Sequence, residues 1–282
     1  MLKKIGIRNT LIYLACLLIV YFTFIFRIPV DTTRAEYTIY EDKVYFKGIY
    51  FADENVIYKN PIETLGKLNA ENGTKIGKGD KISDNLISND VGILMYNIDG
   101  YENKFNLNNI KSLSLLDMDK IIDNHVISPG LKVIYNESLY IYSFIGKDGS
   151  FKKGQNFYIS IGSSRYMCKI LDTVSRKEGN FLVLKLVEDI NYKNLHRGIT
   201  GDIIKSSHKG ILIPSSAIKL KGDTYKVFVK KVNGYADIKN VNVVYDDGEN
   251  AVVIPKGQNT IQQYDEIIID PPKILKDGTK VR

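Results

Sequence analysis

Residues 10–26, TLIYLACLLIVYFTFIF, make one uncharged apolar run, with Lys3, Lys4 and Arg8 before it and Arg27 after it. A buried globular helix of this length would show a polar face; this run has none, so it predicts a membrane-spanning helix. At about 1.5 Å per residue it covers ~26 Å, and Ile28 with snorkelling flanks brings it to a ~30 Å hydrocarbon core. The span is set at 9–28. Tyr21, Phe22, Phe24 and Phe26 crowd one end, where rings sit at the headgroup level. After Pro29 the chain turns polar and extended up to about Val44. Beyond it, short alternating segments are separated by turn signals roughly every eight to twelve residues, the rhythm of barrels and sandwiches. Those signals are Asn72-Gly73, Gly77-Lys78-Gly79-Asp80, Asp99-Gly100, Asp148-Gly149, Asn233-Gly234, Asp247-Gly248 and Asp277-Gly278. Asn-Gly and Asp-Gly supply the positive φ of tight hairpins. One stretch breaks the rhythm: in residues 105–123, Leu107, Ile110, Leu113, Leu116 and Ile121 recur at about helical spacing. It predicts one or two short amphipathic helices packed on the β body.

Composition agrees with a mainly β chain. Of 282 residues 44% are hydrophobic and 25% charged, which excludes wholesale disorder. Only seven are Ala, while Ile, Val, Tyr and Phe abound, a usage that suits strands better than long helical bundles. Two cysteines, Cys16 in the apolar run and Cys168 in a strand-like stretch, allow neither a disulfide framework nor a thiolate metal site. His125, His196 and His208 share no ligand spacing, which removes a zinc enzyme. Three basic residues among the first eight place the amino terminus in the cytoplasm and the body outside it. A cleaved signal peptide would need a small-x-small site after the run, and FRIPVDTTRAEY offers a poor one. A lipid-modified Cys16 would need small neighbours, and Tyr13, Leu14, Leu17 and Leu18 surround it.

Between Val44 and Ile82 a strand, an acidic turn and a second strand lead into Asn60-Pro61 and then Leu65-Gly66-Lys67-Leu68. The hairpin Asn72-Gly73 follows, and Lys75-Ile76-Gly77-Lys78-Gly79-Asp80-Lys81-Ile82 ends the stretch. Ile76 and Ile82 point into one core across the Gly79 turn. This resembles the first half of a lipoyl-type, or barrel-sandwich hybrid, module. Its second half would open at Val91–Tyr96 and close near Leu131–Ile134. Gly154-Gln155-Asn156-Phe157-Tyr158-Ile159 resembles the strand entry of the β-barrel that follows such a module. ILIPSSAI at 211–218 resembles the opening of a membrane-proximal domain, and Asp265-Glu266-Ile267-Ile268 with the terminal Asp277-Gly278-Thr279-Lys280-Val281-Arg282 resembles its ending. Together these resemble the HlyD-type membrane-fusion, or periplasmic adaptor, proteins over residues 44–282.

The resemblance implies a cytoplasmic stub (1–8), an anchor (9–28) and a linker or first membrane-proximal strand (29–43). It then implies a lipoyl-like module (44–137) with the helical insertion 105–123, a β-barrel (138–209) and a membrane-proximal β domain (210–282). It also implies a non-enzymatic adaptor in an envelope transport or efflux complex, without cofactor, metal or nucleic acid. Its partners would be an ABC-type exporter or other permease, further copies of itself, and the lipid bilayer through 9–28. One departure matters: only Ser83–Asp90 separates the lipoyl halves, where adaptors that reach an outer-membrane duct carry a long helical hairpin. Eight residues, even if helical, span about 12 Å. Asn- and Lys-rich, Ala-poor usage fits an AT-rich genome and an envelope lacking an outer membrane. The alternative role is an envelope scaffold in cell division or wall assembly that keeps the adaptor architecture.

Other constellations along the chain carry weaker chemical signals. Asp80-Lys81-Ile82 resembles the Asp-Lys-Ala of swinging-arm domains, but Lys81 is expected inside a strand pairing Ile76 with Ile82 rather than at a hairpin tip. Ser206, Ser207 and His208 are adjacent, and neighbours on a strand face opposite ways, which defeats a nucleophile–base pair. Lys152-Lys153, Arg176-Lys177, Lys219-Lys221 and Lys230-Lys231 scatter positive charge that serves solubility and blocks edge pairing, with an anionic polymer or headgroup as the alternative partner. Leu86 and Ile87, apolar in a polar connector, are the candidate partner contacts.

Overall fold

The structure is a computed structural model and describes residues 12–18, 27–124, 126–135, 139–188, 190, 192 and 195–282. Residues 12–18 are helical and exposed. The rest of the predicted span up to residue 26 lies outside the described residues, and none of the described helices is long and apolar enough to cross a membrane. Ile28, expected at the end of that span, instead bridges Val281 in the β body. The chain divides into two compact units, Asp42–Ser206 and, from both ends of the chain, the stretch up to Glu41 with Ser207–Arg282. Two strands, β2 (Glu36–Phe51) and β13 (Gly198–Pro214), carry the chain from one unit into the other.

Asp42–Ser206 holds two sheets. In the larger, β9 (Tyr140–Phe144), β10 (Asn156–Ile161), β11 (Ser164–Arg176) and β12 (Gly179–Leu186) join β2 and β13 in the order β13-β10-β11-β12-β9-β2. A further β13–β2 pairing closes the six strands into a barrel. Lys47–Phe51 pair with Phe144–Tyr140. The strand at Val44, read as the start of the lipoyl-like module, thus belongs to the barrel. Gly48 permits this approach, since a Cβ there would lie 2.3 Å from the Tyr142 carbonyl oxygen.

The smaller sheet has the order β3-β8-β7-β4, from Glu54–Tyr58, Ser128–Tyr135, Gly92–Ile98 and Thr74–Ile76 respectively. Both faces of its two central strands are covered, so Gly92–Tyr96 of β7 reads as a continuous apolar run and Leu131–Ile134 of β8 as one broken only by Lys132. Ile93, Met95 and Ile134 point into the core shared with the barrel, which also holds Phe46, Ile159, Cys168, Leu184 and Ile203. Leu94, Leu131 and Val133 point the other way, onto Leu65, Ile76 and Ile82. Ile76 and Ile82 do share a core, but they are not strand partners. β4 pairs with β7, while Lys81–Ser83 (β5) pairs with Leu86–Ile87 (β6) in a short hairpin of its own. β6 and the turn before it lie within Ser83–Asp90, the stretch expected to separate two lipoyl-like halves.

The helical expectation for 105–123 resolves into a 3-10 turn at Ile110–Ser112 and an α-helix at Leu115–Asn124. Ile110, Met118 and Ile121 bury against Ile49, Phe51, Tyr142, Phe181 and Val183 on the barrel wall. Arg176 fastens the segment by donating to the Leu113 and Lys111 carbonyls while lying over the Phe181 ring.

In the other unit β1 (Asp31–Arg34), β18 (Glu266–Ile269), β15 (Thr224–Lys230), β16 (Ala236–Asp246), β17 (Asn250–Pro255) and the end of β13 are neighbours in that order, with β14 (Lys219–Lys221) on β15. Its core is aliphatic: Ile211, Ile213, Val227, Val229, Val241, Val253, Ile261 and Ile267. The turn signals carry positive φ at Gly73, Gly79, Gly100, Gly234, Gly248 and Gly278; at Asp148-Gly149 the left-handed residue is Gly146, three positions earlier.

Candidate functional site

The strongest concentration of chemistry lies where the small sheet meets the barrel within Asp42–Ser206. Lys132 sits on β8 between Leu131 and Val133, and strand alternation turns it to the same face as Ile134, toward the barrel core. An ammonium there needs counter-charges, because desolvating it alone would cost several kcal/mol. Glu54 on β3 and Glu102 in the turn after β7 supply them, at 3.4 and 3.2 Å. The same turn presents Asp99, oriented by its own N–H donating to Glu102 Oε1 and by Tyr101 N–H donating to Asp99 Oδ1.

Arg197, next to the start of β13, completes the group. Its guanidinium grips Asp99 through Nε (2.8 Å) and Nη2 (2.9 Å), donates from Nη2 to Glu54 Oε2 (2.8 Å) and from Nη1 to the Tyr50 carbonyl (3.2 Å). It also lies 4.2 Å over the Tyr50 ring. Arg197 and Lys132 are each 2% exposed and Glu54 1%, so two cations and three carboxylates are packed out of water. The second oxygen of Glu54 has the Lys132 ammonium at 3.4 Å but no hydrogen bond.

Electrostatics follow from burial. Burial works to raise the Asp99 pKa, but the Arg197 hydrogen bonds and the charges of Arg197 and Lys132 outweigh it and hold the carboxyl at about 2. The Tyr50 phenol is pushed well above its ordinary value, first by burial and then by Glu54 and Asp99, with Arg197 opposing. The donors of Arg197 and Lys132 are spent on carboxylates and on Tyr50, so the arrangement works as a fastener between sheet and barrel. Among the described residues no group of three or more His, Cys, Asp and Glu could hold a metal ion. Sequence reasoning missed the cluster, although a lysine interrupting the doubly covered run Leu131–Ile134 is a readable sign of it.

The residues singled out from sequence lie elsewhere. Leu86 packs onto the core beneath the small sheet while Ile87, its neighbour on β6, stands 58% exposed. Of the pair, only Ile87 faces outward. Lys81 opens β5 opposite Ile87 and pairs with Asp84 at 3.1 Å. Ser206, Ser207 and His208 follow one another on β13. The His208 ring stacks on Tyr245 with centroids 4.5 Å apart. Cys168 is buried in the barrel core, which pushes its thiol up to about 12; Cys16 is exposed on the helical residues 12–18. In the other unit, Lys231, Asp237, Lys239 and Tyr264 line an open groove of about 510 Å³. There Asp237 lies 3.1 Å from both Lys231 and Lys239. Burial works to raise its pKa, but those two lysines lower it on balance.

No family model matches the sequence, nor does any curated protein. Similar solved structures include ZneB from Cupriavidus metallidurans, 11% identical with a TM-score of 0.27, covering 88% of this chain and 94% of that one. MacA from Actinobacillus actinomycetemcomitans is 13% identical with a TM-score of 0.37, covering 86% of this chain and 100% of that one. The membrane fusion protein Spr0693 from Streptococcus pneumoniae R6 is 10% identical with a TM-score of 0.29, covering 58% and 100%. At these identities the likeness is one of fold, and with every TM-score below 0.5 what the modules do is read from their own residues.

Proposed function

We propose that this chain is a non-enzymatic, single-pass membrane adaptor that works by protein contacts in an envelope transport complex. Its amino terminus is cytoplasmic, residues 9–27 cross the bilayer, and the β body stands outside. The observation that carries the reading is the out-and-back path of the chain. Both ends build one unit, Ser207–Arg282 with the stretch up to Glu41, and Asp42–Ser206 is inserted between them. An anchor before the first strand therefore belongs with the unit that both ends share, and the barrel with its lipoyl-like sheet is the part of the sequence inserted between those ends. That is the order expected of an adaptor whose membrane-proximal domain meets a permease while its lipoyl-like module meets neighbouring copies.

The short β5–β6 hairpin between the lipoyl-like halves leaves no material for a helical tube, so the partner is an ABC-type exporter or other permease in the same membrane. Ile87, exposed on that hairpin, is the residue proposed to touch a second copy. Photo-cross-linkers at Ile87 and at Tyr264, in the full chain in its native membrane, test both contacts. A self-adduct from Ile87 and a permease adduct from Tyr264 are expected. If neither position captures a transporter component and loss of the chain alters septation or shape, the transport role falls and the scaffold role replaces it.

A further inference from the structure

The hairpin that joins β15 to β16 is tied directly to the place where the chain leaves its apolar run. Arg27 follows that run, and Ile28 is already fixed. Its N–H donates to the Lys280 carbonyl and its carbonyl accepts from Arg282 N–H, both at 3.1 Å. Val281 N–H in turn donates to the Gly234 carbonyl at 2.8 Å. Two strand spacings of about 4.8 Å thus separate Ile28 from Gly234 at the end of the hairpin turn. Val232, two residues from Gly234, is 110% exposed.

Tight hairpin tips ordinarily carry small polar residues. A valine held wholly in water at such a tip forfeits the burial an aliphatic side chain gains elsewhere. A second aliphatic residue repeats the arrangement. Ile274 is 66% exposed, while its neighbour Leu275 packs with Ile28, Val30 and Val281 in one small core. Basic residues flank both: Lys230 and Lys231 precede Val232, and Lys273 and Lys276 bracket Ile274. Acidic groups stand here too: Asp237 pairs with Lys231, and Asp237, Asp265 and Glu266 line the same groove as Val232.

We propose that Val232 at this tip, together with Ile274, docks into the headgroup layer of the membrane that holds the chain. The aliphatic side chains enter the acyl boundary, and the flanking lysines meet anionic lipid phosphates. The occupant is an anionic bilayer surface, and the proposal rests on the anchor reading, which puts that surface at Arg27. Its consequence is a second attachment point that fixes the tilt of the membrane-proximal unit, which one helix alone would leave free.

The chain contains no tryptophan, so single substitutions give clean probes. Full-length Val232→Trp, Ile274→Trp, Leu220→Trp and Phe22→Trp are reconstituted into vesicles of phosphatidylcholine, with or without phosphatidylglycerol, carrying acyl-chain bromines. Leu220 is the matched control. It is 65% exposed between Lys219 and Lys221, yet pairs with Tyr225, five residues and about 17 Å down β15 from Lys230. The expected result is strong quenching of Phe22→Trp, and quenching of Val232→Trp and Ile274→Trp at least about twofold above Leu220→Trp, greatest with phosphatidylglycerol. If Phe22→Trp is quenched and the other three behave alike, docking is overturned while the anchor stands. If Phe22→Trp is unquenched, the anchor reading fails and docking with it. Equal quenching with and without phosphatidylglycerol overturns the choice of an anionic surface.

Discussion

Asp99 and Asp237 each feel the charge of two cations, and each is largely covered, with 8% and 14% of the side chain exposed. What differs is the company. Asp99 is paired with Arg197 and feels Lys132, which is itself paired with Glu54 and Glu102; these two cations have 1% and 2% side-chain exposure, while the partners of Asp237 are Lys231 and Lys239, at 51% and 21%. Asp99 and Arg197 are separated by 98 residues and come together when the small sheet seats on the barrel. Lys231, Asp237 and Lys239 belong to one hairpin and meet locally. The contrast teaches that a carboxylate's own burial says little about what its ion pair does. Where the cations reach water, a lost partner is replaced by solvent; where they do not, the pair becomes a condition on assembly.

The sharpest way to break that contrast is to remove Arg197. Arg197→Met leaves Asp99 and Glu54 buried without their shared counter-charge, for an expected loss of about 3–5 kcal/mol in urea unfolding. Arg197→Lys restores only part of it, because one ammonium cannot grip Asp99 in bidentate fashion while bonding Glu54 and the Tyr50 carbonyl. Adding Asp99→Asn and Glu54→Gln to Arg197→Met recovers stability by removing the stranded charges. A loss below about 1 kcal/mol for Arg197→Met would place the cluster in the same class as a surface pair.

Acid offers a second route. The folded-state pKa of Asp99, about 2, lies below the unfolded value of about 3.9, so its contribution is complete above roughly pH 4 and is lost as pH falls toward 2. The expected loss over that window is about 2 kcal/mol, read from denaturant midpoints at successive pH values. Asp99→Asn flattens this limb. Asp237 also has a lowered pKa, so its effect has the same sign, but with cations open to water the loss on acidification is smaller.

How much of this was legible in the sequence depends on what each residue had to say locally. The turns were readable because Asn-Gly and Asp-Gly announce a left-handed glycine by themselves, as at Gly73, Gly100, Gly234 and Gly248. The helical segment was readable from its period. Register was not. Val44 lies within a strand that alternation alone cannot assign to one sheet or another, and only the pairing of that strand's Lys47–Phe51 with β9 places it in the barrel. For the same reason Leu86 and Ile87 looked equivalent until β6 turned one inward and the other out. The charge cluster was half legible: Lys132 breaks an apolar run and thereby asks for a carboxylate. Glu54, Asp99 and Arg197 look like ordinary polar residues in turns and at strand ends, and long-range docking alone makes them a site.

The smallest expected effect is the one that tests whether exposure of the cations is the deciding variable. Asp237→Asn removes the carboxylate that Lys231 and Lys239 share, yet both lysines keep access to water, and Lys239 also donates to Asn259 Oδ1 at 2.9 Å. The loss at low salt should be under about 1 kcal/mol. Raising salt toward 1 M shrinks the screening length to about 3 Å and should erase it, while the Arg197→Met loss stays put because ions cannot enter a dry cluster. A salt-resistant loss at Asp237 comparable to that at Arg197 would mean that the coverage of the carboxylate, and not of its partners, sets the strength of these pairs.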